Sequence, residues 1–188
     1  VAATRKGRTR AAMAELLLEA HRAGRLRVAI GRGSDFYGPR VVNSVFGQMF
    51  FDAAAAGKPA NLLGNIDLPH TFTYIKDFAR ALVTLAENEA ALGQVWHVPN
   101  PAPLTTRQMV ELIEAELGRP IKPRPTGKFM ITVLGWFNPL LAEIREMMYG
   151  WEAPYIVDDR RYRQQFGNGV TPLQQAVRET VAWYRQRA

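Results

Sequence analysis

The sequence predicts an α/β fold: an incomplete open parallel sheet, followed by a mostly helical C-terminal part. Three observations predict it. Segments of strand character alternate with segments of helical period between residues 26 and 118. The run LRVAI (26–30) is apolar along most of its length, as suits a strand covered on both faces. After Gly118 the texture changes: RPIKPRPTGK carries three prolines, and the apolar stretch beyond it is broken by Gly135 and by Asn138-Pro139. The expected division is therefore 1–118 and 119–188.

The elements follow in order. A first helix is expected from about Thr9 to Ala23, with Met13, Leu16, Leu17 and Ala20 on one stripe and Gly24 as its stop. LRVAI is the strand after it. GRGSDFYGP reads as the loop leaving that strand, with Gly33 and Gly38 for the turn. Asn43 can cap a helix from Ser44 to about Ala56, and NLLG is a short strand or turn. HTFTYI (70–75) alternates like a strand and runs into the helix KDFARALVTLAEN, where Phe78, Leu82 and Leu85 share a face. QVWHV (94–98) is a further strand. Thr105 with Gln108 forms a capping box for a helix ending at Gly118. Pro139 and Pro172 stand at the first turns of the last two helices, the second capped by Thr171.

Composition bounds the function. The chain has no cysteine, which excludes disulfides and thiolate chemistry and is compatible with a cytoplasmic location. No apolar run reaches the roughly 20 residues that span a bilayer, so no membrane partner is expected. Residues 1–40 hold nine Lys/Arg against three Asp/Glu, while the remainder is nearly balanced. Those arginines suit an acidic surface or a phosphate better than nucleic acid, because exposed aromatics do not interleave them. No His/Asp/Glu grouping has metal-ligand spacing, and no metal is expected.

The run from about Lys6 to Glu116, with KGRTR, SDFYGP, FTYIKDFARALVTLAE and GQVWHVPNPAPLTTRQMVELIEAELG in that order, resembles the later half of an extended short-chain dehydrogenase/reductase of the NAD-dependent epimerase/dehydratase group. The resemblance implies that 1–118 is the later half of a Rossmann-like domain with interleaved substrate-lobe segments. It implies that 119–188 is a helical substrate lobe. It further implies NAD or NADP as cofactor and a small alcohol or carbonyl substrate. The reaction would be redox, or epimerisation or dehydration through a transient oxidation.

The chain departs from the family in two places. It contains no G-x-x-G-x-x-G turn, so it is expected to be part of a longer protein, inactive alone and not a tight dinucleotide binder by itself. At the positions of the family's catalytic Tyr and Lys stand Lys6 and Arg10. Arg10 keeps charge and donors for the cofactor ribose. Lys6 as a base would need burial or neighbouring cations, and its plainer account is a solvated lysine on a basic turn. Whether the protein is an enzyme is therefore open. The alternative is a non-catalytic NAD(P)-responsive regulator or a ligand-binding module.

By the same resemblance Gly33, Ser34, Asp35 and Phe36 border the nicotinamide, although Ser34 and Asp35 also suit plain turn caps. Tyr37 is a candidate replacement acid, although the resemblance implies that it faces structure. His70 stands where sugar-nucleotide members place an arginine against a phosphate, which weakens a nucleotide-sugar substrate. His70 is therefore a candidate substrate contact; as a plain residue it reads as a surface histidine beside Pro69, with a catalytic base as the other reading. Trp136, Phe137, Trp151 and Tyr155 fall in the substrate lobe, where Trp136 and Trp151 are candidate substrate contacts or core packing. The first helix is a candidate homodimer face, or else packs on the chain's own sheet.

Overall fold

The computed structural model describes residues 4–136 and 139–187. The fold is α/β, built from short parallel strand pairs and helices, as an incomplete Rossmann-like sheet requires.

Helix α1 (Arg5–Arg22) begins earlier than the apolar stripe suggests, because Thr4 caps it by accepting from the Gly7 amide at 3.0 Å. Lys6 and Arg10 thus lie on the helix rather than on a turn before it. Only Ala20 of its stripe is buried; Met13 and Leu16 are exposed, so the helix does not pack that stripe on the described sheet.

Strand β1 (Ile30–Arg32) is displaced toward the end of LRVAI. Its partner is β6 (Val95–His97), in parallel with Ile30 opposite Val95 and Arg32 opposite His97. The segment read as a loop contains a second strand, β2 (Asp35–Tyr37), parallel to β5 (Phe72–Tyr74). Strand β3 (Ala60–Leu63) pairs in parallel with β8 (Pro123–Thr126). The proline-rich connection is thus an edge strand, since Pro123 and Pro125 lack amide hydrogens that only an outer edge can dispense with. Strand β4 (Pro69–His70) pairs antiparallel with β7 (Leu104–Thr105).

The helix expected from Ser44 begins only at Gln48: α2 (Gln48–Ala55) is preceded by Gly47, and Asn43 does not cap it. The Gly47 amide bonds the Ser44 carbonyl in the turn that intervenes. Helix α3 (Ile75–Glu87) buries Asp77, Ala81 and Leu85. Helix α4 (Thr106–Leu117) carries the expected capping box and ends at Gly118 with φ 69°. Beyond it come α5 (Lys128–Gly135), α6 (Pro139–Met147), α7 (Arg160–Phe166) and α8 (Leu173–Arg185). Pro172 precedes α8 and Thr171 does not cap it, because the Thr171 side chain is spent on Asp77.

The main core joins α2, α4 and α8 around β3 and β5, with Phe51 stacked on Tyr184 at 3.9 Å between ring centroids. A second core gathers Ala81, Leu85, Trp96, Val98 and Tyr162. Between them the carboxyl ends of β1 and β6 lie side by side.

Candidate active site

In open parallel α/β sheets, ligands bind in the crevice outside the carboxyl ends of the strands. Gly33 and Ser34 leave that end of β1. The Ser34 amide donates to Thr73 Oγ1 at 2.7 Å, and Thr73 Oγ1 donates to Asn100 Oδ1 at 2.7 Å. The Asn100 amide donates in turn to Asp159 Oδ2 at 2.7 Å. The loop is therefore fixed from β5, from the turn after β6 and from the start of α7. Ser34 Oγ is buried without a hydrogen-bond partner, as are the Tyr37 and Ser44 hydroxyls. Gly33 is required by packing: a Cβ there would stand 2.9 Å from the Phe36 ring and 3.2 Å from Phe78. Arg40, just after this loop, has φ 69°. It borders a shallow cleft of about 330 Å³ together with Phe36, Pro39 and Ile75.

Asp35, first residue of β2, faces His70, last residue of β4. His70 Nε2 lies 2.7 Å from Asp35 Oδ2. With Asp35 ionised, Nε2 carries the proton and donates it. The two groups differ in access: His70 is 3% exposed, whereas the Asp35 side chain is 40% exposed. A strap from the C-terminal part closes over the imidazole. The Thr71 amide donates to the Tyr155 carbonyl at 2.9 Å, and the Tyr155 amide donates to the Pro69 carbonyl at 2.9 Å. This seats Tyr155 on the His70 ring at 5.1 Å and 26°; Trp151, held by the Asn65 amide, stacks at 4.1 Å and 10°, and Phe72 lies at 4.8 Å. Burial, then the Asp35 charge and Tyr149, push the Tyr155 phenol above its ordinary value; Arg32 opposes them. Tyr155 is thus a neutral donor beside a carboxylate.

The residues named from sequence separate into groups. Asp35, His70 and Trp151 come together; Gly33 and Phe36 instead meet at Phe78, and Ser34 is tied to Thr73. The plain reading of His70 as a surface residue is corrected, since three aromatic rings bury it. Trp136 is 75% exposed, and no ring stacks on it among the described residues. Phe137 lies outside the described residues. Lys6 and Arg10 sit on α1, where Lys6 Nζ pairs with Glu143 at 2.7 Å and the Arg5 amide bonds Glu146, both on α6. Among the described residues, no hydrogen bond or ion pair joins Lys6 or Arg10 to residues 33–36. The Asp35–His70 pair was missed by sequence reasoning, because nothing in either segment marks β2 and β5 as partners. Tyr37, as expected, is buried, and burial raises its phenol well above the ordinary value.

A larger cleft, about 510 Å³, lies between β6 and α7, lined by Trp96, His97, Asp158, Arg160 and Arg161 among others. Its charges are occupied: Asp158 pairs with Arg160 at 2.6 Å, and Arg161 lies over Trp96 at 4.3 Å. None of the residues singled out from sequence lines it. Among the described residues no helix is long and apolar enough to cross a membrane, and no group of three His, Cys, Asp or Glu residues could hold a metal.

Residues 7–98 match the model of the NAD dependent epimerase/dehydratase family. A comparison with curated proteins finds no match. Among solved structures, the chain is similar to UDP-glucuronic acid 4-epimerase from Bacillus cereus in complex with NAD, with TM-score 0.73 and 15% identity over 100% of this chain and 54% of the other. It is similar to a nucleoside-diphosphate-sugar epimerase from Pseudomonas aeruginosa, with TM-score 0.69 and 20% identity over 94% of this chain and 54% of the other. A third is UDP-N-acetylglucosamine 4-epimerase from Methanobrevibacter ruminantium M1, at TM-score 0.71 and 20% identity over 95% of this chain and 52% of the other. The chain spans about half the length of these structures, and at such identities they establish the fold. The family model's match to residues 7–98 and the fold shared with these structures make the chain similar to the NAD-dependent epimerase/dehydratase family.

Proposed function

We propose that the chain forms the nicotinamide-facing and substrate-binding part of an NAD(P)-dependent enzyme. It would act on a small substrate bearing an alcohol or carbonyl, by net redox or by epimerisation or dehydration through a transient oxidation. The observation that carries this reading is the Asp35–His70 pair. An accessible carboxylate backed by a buried imidazole stands at the start of β2, just after the loop that leaves the carboxyl end of β1 and next to Ser34 in sequence. NAD(P) supplies hydride acceptance and donation; Ser34 and its neighbours Gly33 and Phe36 border the nicotinamide in this reading, and Arg10 holds the ribose. His70 and Trp151 form the floor of the substrate site. The 119–188 segment is the substrate lobe, with the 155–157 strap as its contact to β4. A homodimer through the exposed stripe of α1 belongs to the same reading.

The test uses the protein expressed from its complete reading frame. NAD and NADP are titrated by calorimetry, and nicotinamide absorbance is followed with a panel of nucleotide sugars, free sugars and simple secondary alcohols. Binding of one cofactor and turnover of one substrate are expected. Failure to bind either cofactor would sink the proposal. A second reading, a non-catalytic NAD(P)-responsive protein, is favoured by the Lys6–Glu143 pair, which occupies the residue at the tyrosine position. Cofactor binding without turnover across the panel would select it.

A further inference from the structure

We propose that Asp35 is the catalytic acid/base of this protein and His70 its positioning residue, in place of a tyrosine–lysine pair. The inference rests on the function proposed above and deepens it. Three features carry it.

The first is access. The Asp35 side chain, at the start of β2 just after the loop from β1, is 40% exposed, so a substrate hydroxyl can reach it, whereas His70 is enclosed. The second is orientation. His70 Nε2 holds Asp35 Oδ2 at 2.7 Å, so the carboxylate cannot rotate freely, and Oδ1 is left for the substrate. The third is rigidity. The imidazole stacks on two rings, Trp151 at 4.1 Å and Tyr155 at 5.1 Å; backbone bonds to Pro69 and Thr71 seat Tyr155, and the Asn65 amide holds the Trp151 carbonyl. The arrangement places the buried group behind and the reactive group in front, as a positioned acid/base requires.

The chemistry balances. Oxidation of a secondary alcohol breaks the C–H and O–H bonds at one carbon. The hydride, with both electrons of the C–H bond, passes to NAD(P)+, and the hydroxyl proton passes to Asp35 Oδ1. The products are the ketone, NAD(P)H and protonated Asp35. The reverse step returns that proton to the oxygen as hydride re-adds.

The test compares Asp35→Asn, His70→Gln and His70→Phe in the protein expressed from its complete reading frame, with melting temperatures to confirm folding. Asp35→Asn is expected to lower kcat by about 10²-fold or more with KM little changed, because the lost interaction is made in the transition state. His70→Gln keeps an Nε2 donor and is expected to retain most of kcat. His70→Phe keeps the stacking without the donor and is expected to lose about as much as Asp35→Asn. Independently of turnover, nitrogen NMR of the imidazole is expected to show an Nε2-bound proton that Asp35→Asn displaces. Equal activity of His70→Gln and His70→Phe, or near-normal turnover by Asp35→Asn, overturns the assignment and leaves the proposed function standing. Absence of NAD(P)-dependent turnover in the unmodified protein overturns both.

Discussion

Asp77 and Thr171, 94 residues apart, are joined twice: the Thr171 amide donates to Asp77 Oδ2 at 2.9 Å and its hydroxyl to Asp77 Oδ1 at 2.6 Å. The Asp77 carboxylate is 1% exposed and also meets Arg80, which in turn donates to Thr171 Oγ1 at 2.7 Å. The first turn of α3 is thereby tied to the turn that opens α8. A buried carboxylate with three donors is stable only while the donors stay. Removal of the carboxylate strands an arginine and two donors. Asp77→Ala is expected to cost about 3–5 kcal/mol and Thr171→Val about 1.5–3 kcal/mol. Urea denaturation followed by circular dichroism measures both; losses below about 1 kcal/mol would contradict this account.

Glu179 performs a similar union with the opposite exposure. Lys76 donates at 2.6 Å, Tyr74 at 2.6 Å and Gln175 at 2.9 Å, and these bonds, Lys76 foremost, hold the Glu179 carboxyl down to about 2. The Tyr74 phenol is raised, first by burial and then by Glu179. A carboxyl depressed on folding binds its proton more readily when unfolded. Its contribution is therefore complete above the ordinary glutamate value of 4.5 and disappears as pH falls toward about 2. Melting temperatures of the natural protein and Glu179→Gln are expected to converge across that window and to differ above it. A difference that stays constant from neutral pH to the acid end would exclude the mechanism.

Local chemistry made some of this legible. The Thr105–Gln108 box is written in four residues, and both of its bonds form, at 2.8 and 3.1 Å. The stop at Gly118 needs only a residue that tolerates φ 69°. What could not be read depends on distant partners. Pro123 and Pro125 argue against a strand until β3 supplies a neighbour on the one side that needs no amide from them. Thr171 suggests a cap until Asp77 takes its hydroxyl. His70 beside Pro69 suggests surface until Trp151, 81 positions later, covers it.

Lys6 carries a smaller prediction. Its pair with Glu143 is open to solvent, with the lysine side chain 49% exposed. The Glu143 carboxyl is lowered by its hydrogen bond from Lys6, then by the Lys6 charge. Screened surface pairs contribute little, so Lys6→Ala is expected to shift stability by less than about 0.5 kcal/mol. A loss of several times that in thermal or urea unfolding would mean that α1 depends on α6 for its position.

Gly64 links stability to the candidate site. Its φ of 59° is in the left-handed region, and a Cβ there would stand 2.4 Å from the Trp151 carbonyl oxygen and 2.7 Å from the Trp151 Cβ. The same carbonyl accepts from the Asn65 amide at 2.9 Å, so it cannot retreat without breaking that bond. Gly57 is the natural comparison, with φ 64° and open space around a Cβ. Gly57→Ala is expected to cost about 1 kcal/mol, the conformational term alone. Gly64→Ala carries that term plus the displacement of Trp151, together about 2–4 kcal/mol. Because Trp151 is the ring that stacks most closely on His70, only Gly64→Ala should also alter the near-ultraviolet circular dichroism and weaken the hold of His70 on Asp35. Equal costs for the two alanines would show that Trp151 can yield. The stacking on His70 would then not be the rigid clamp that the assignment of Asp35 requires.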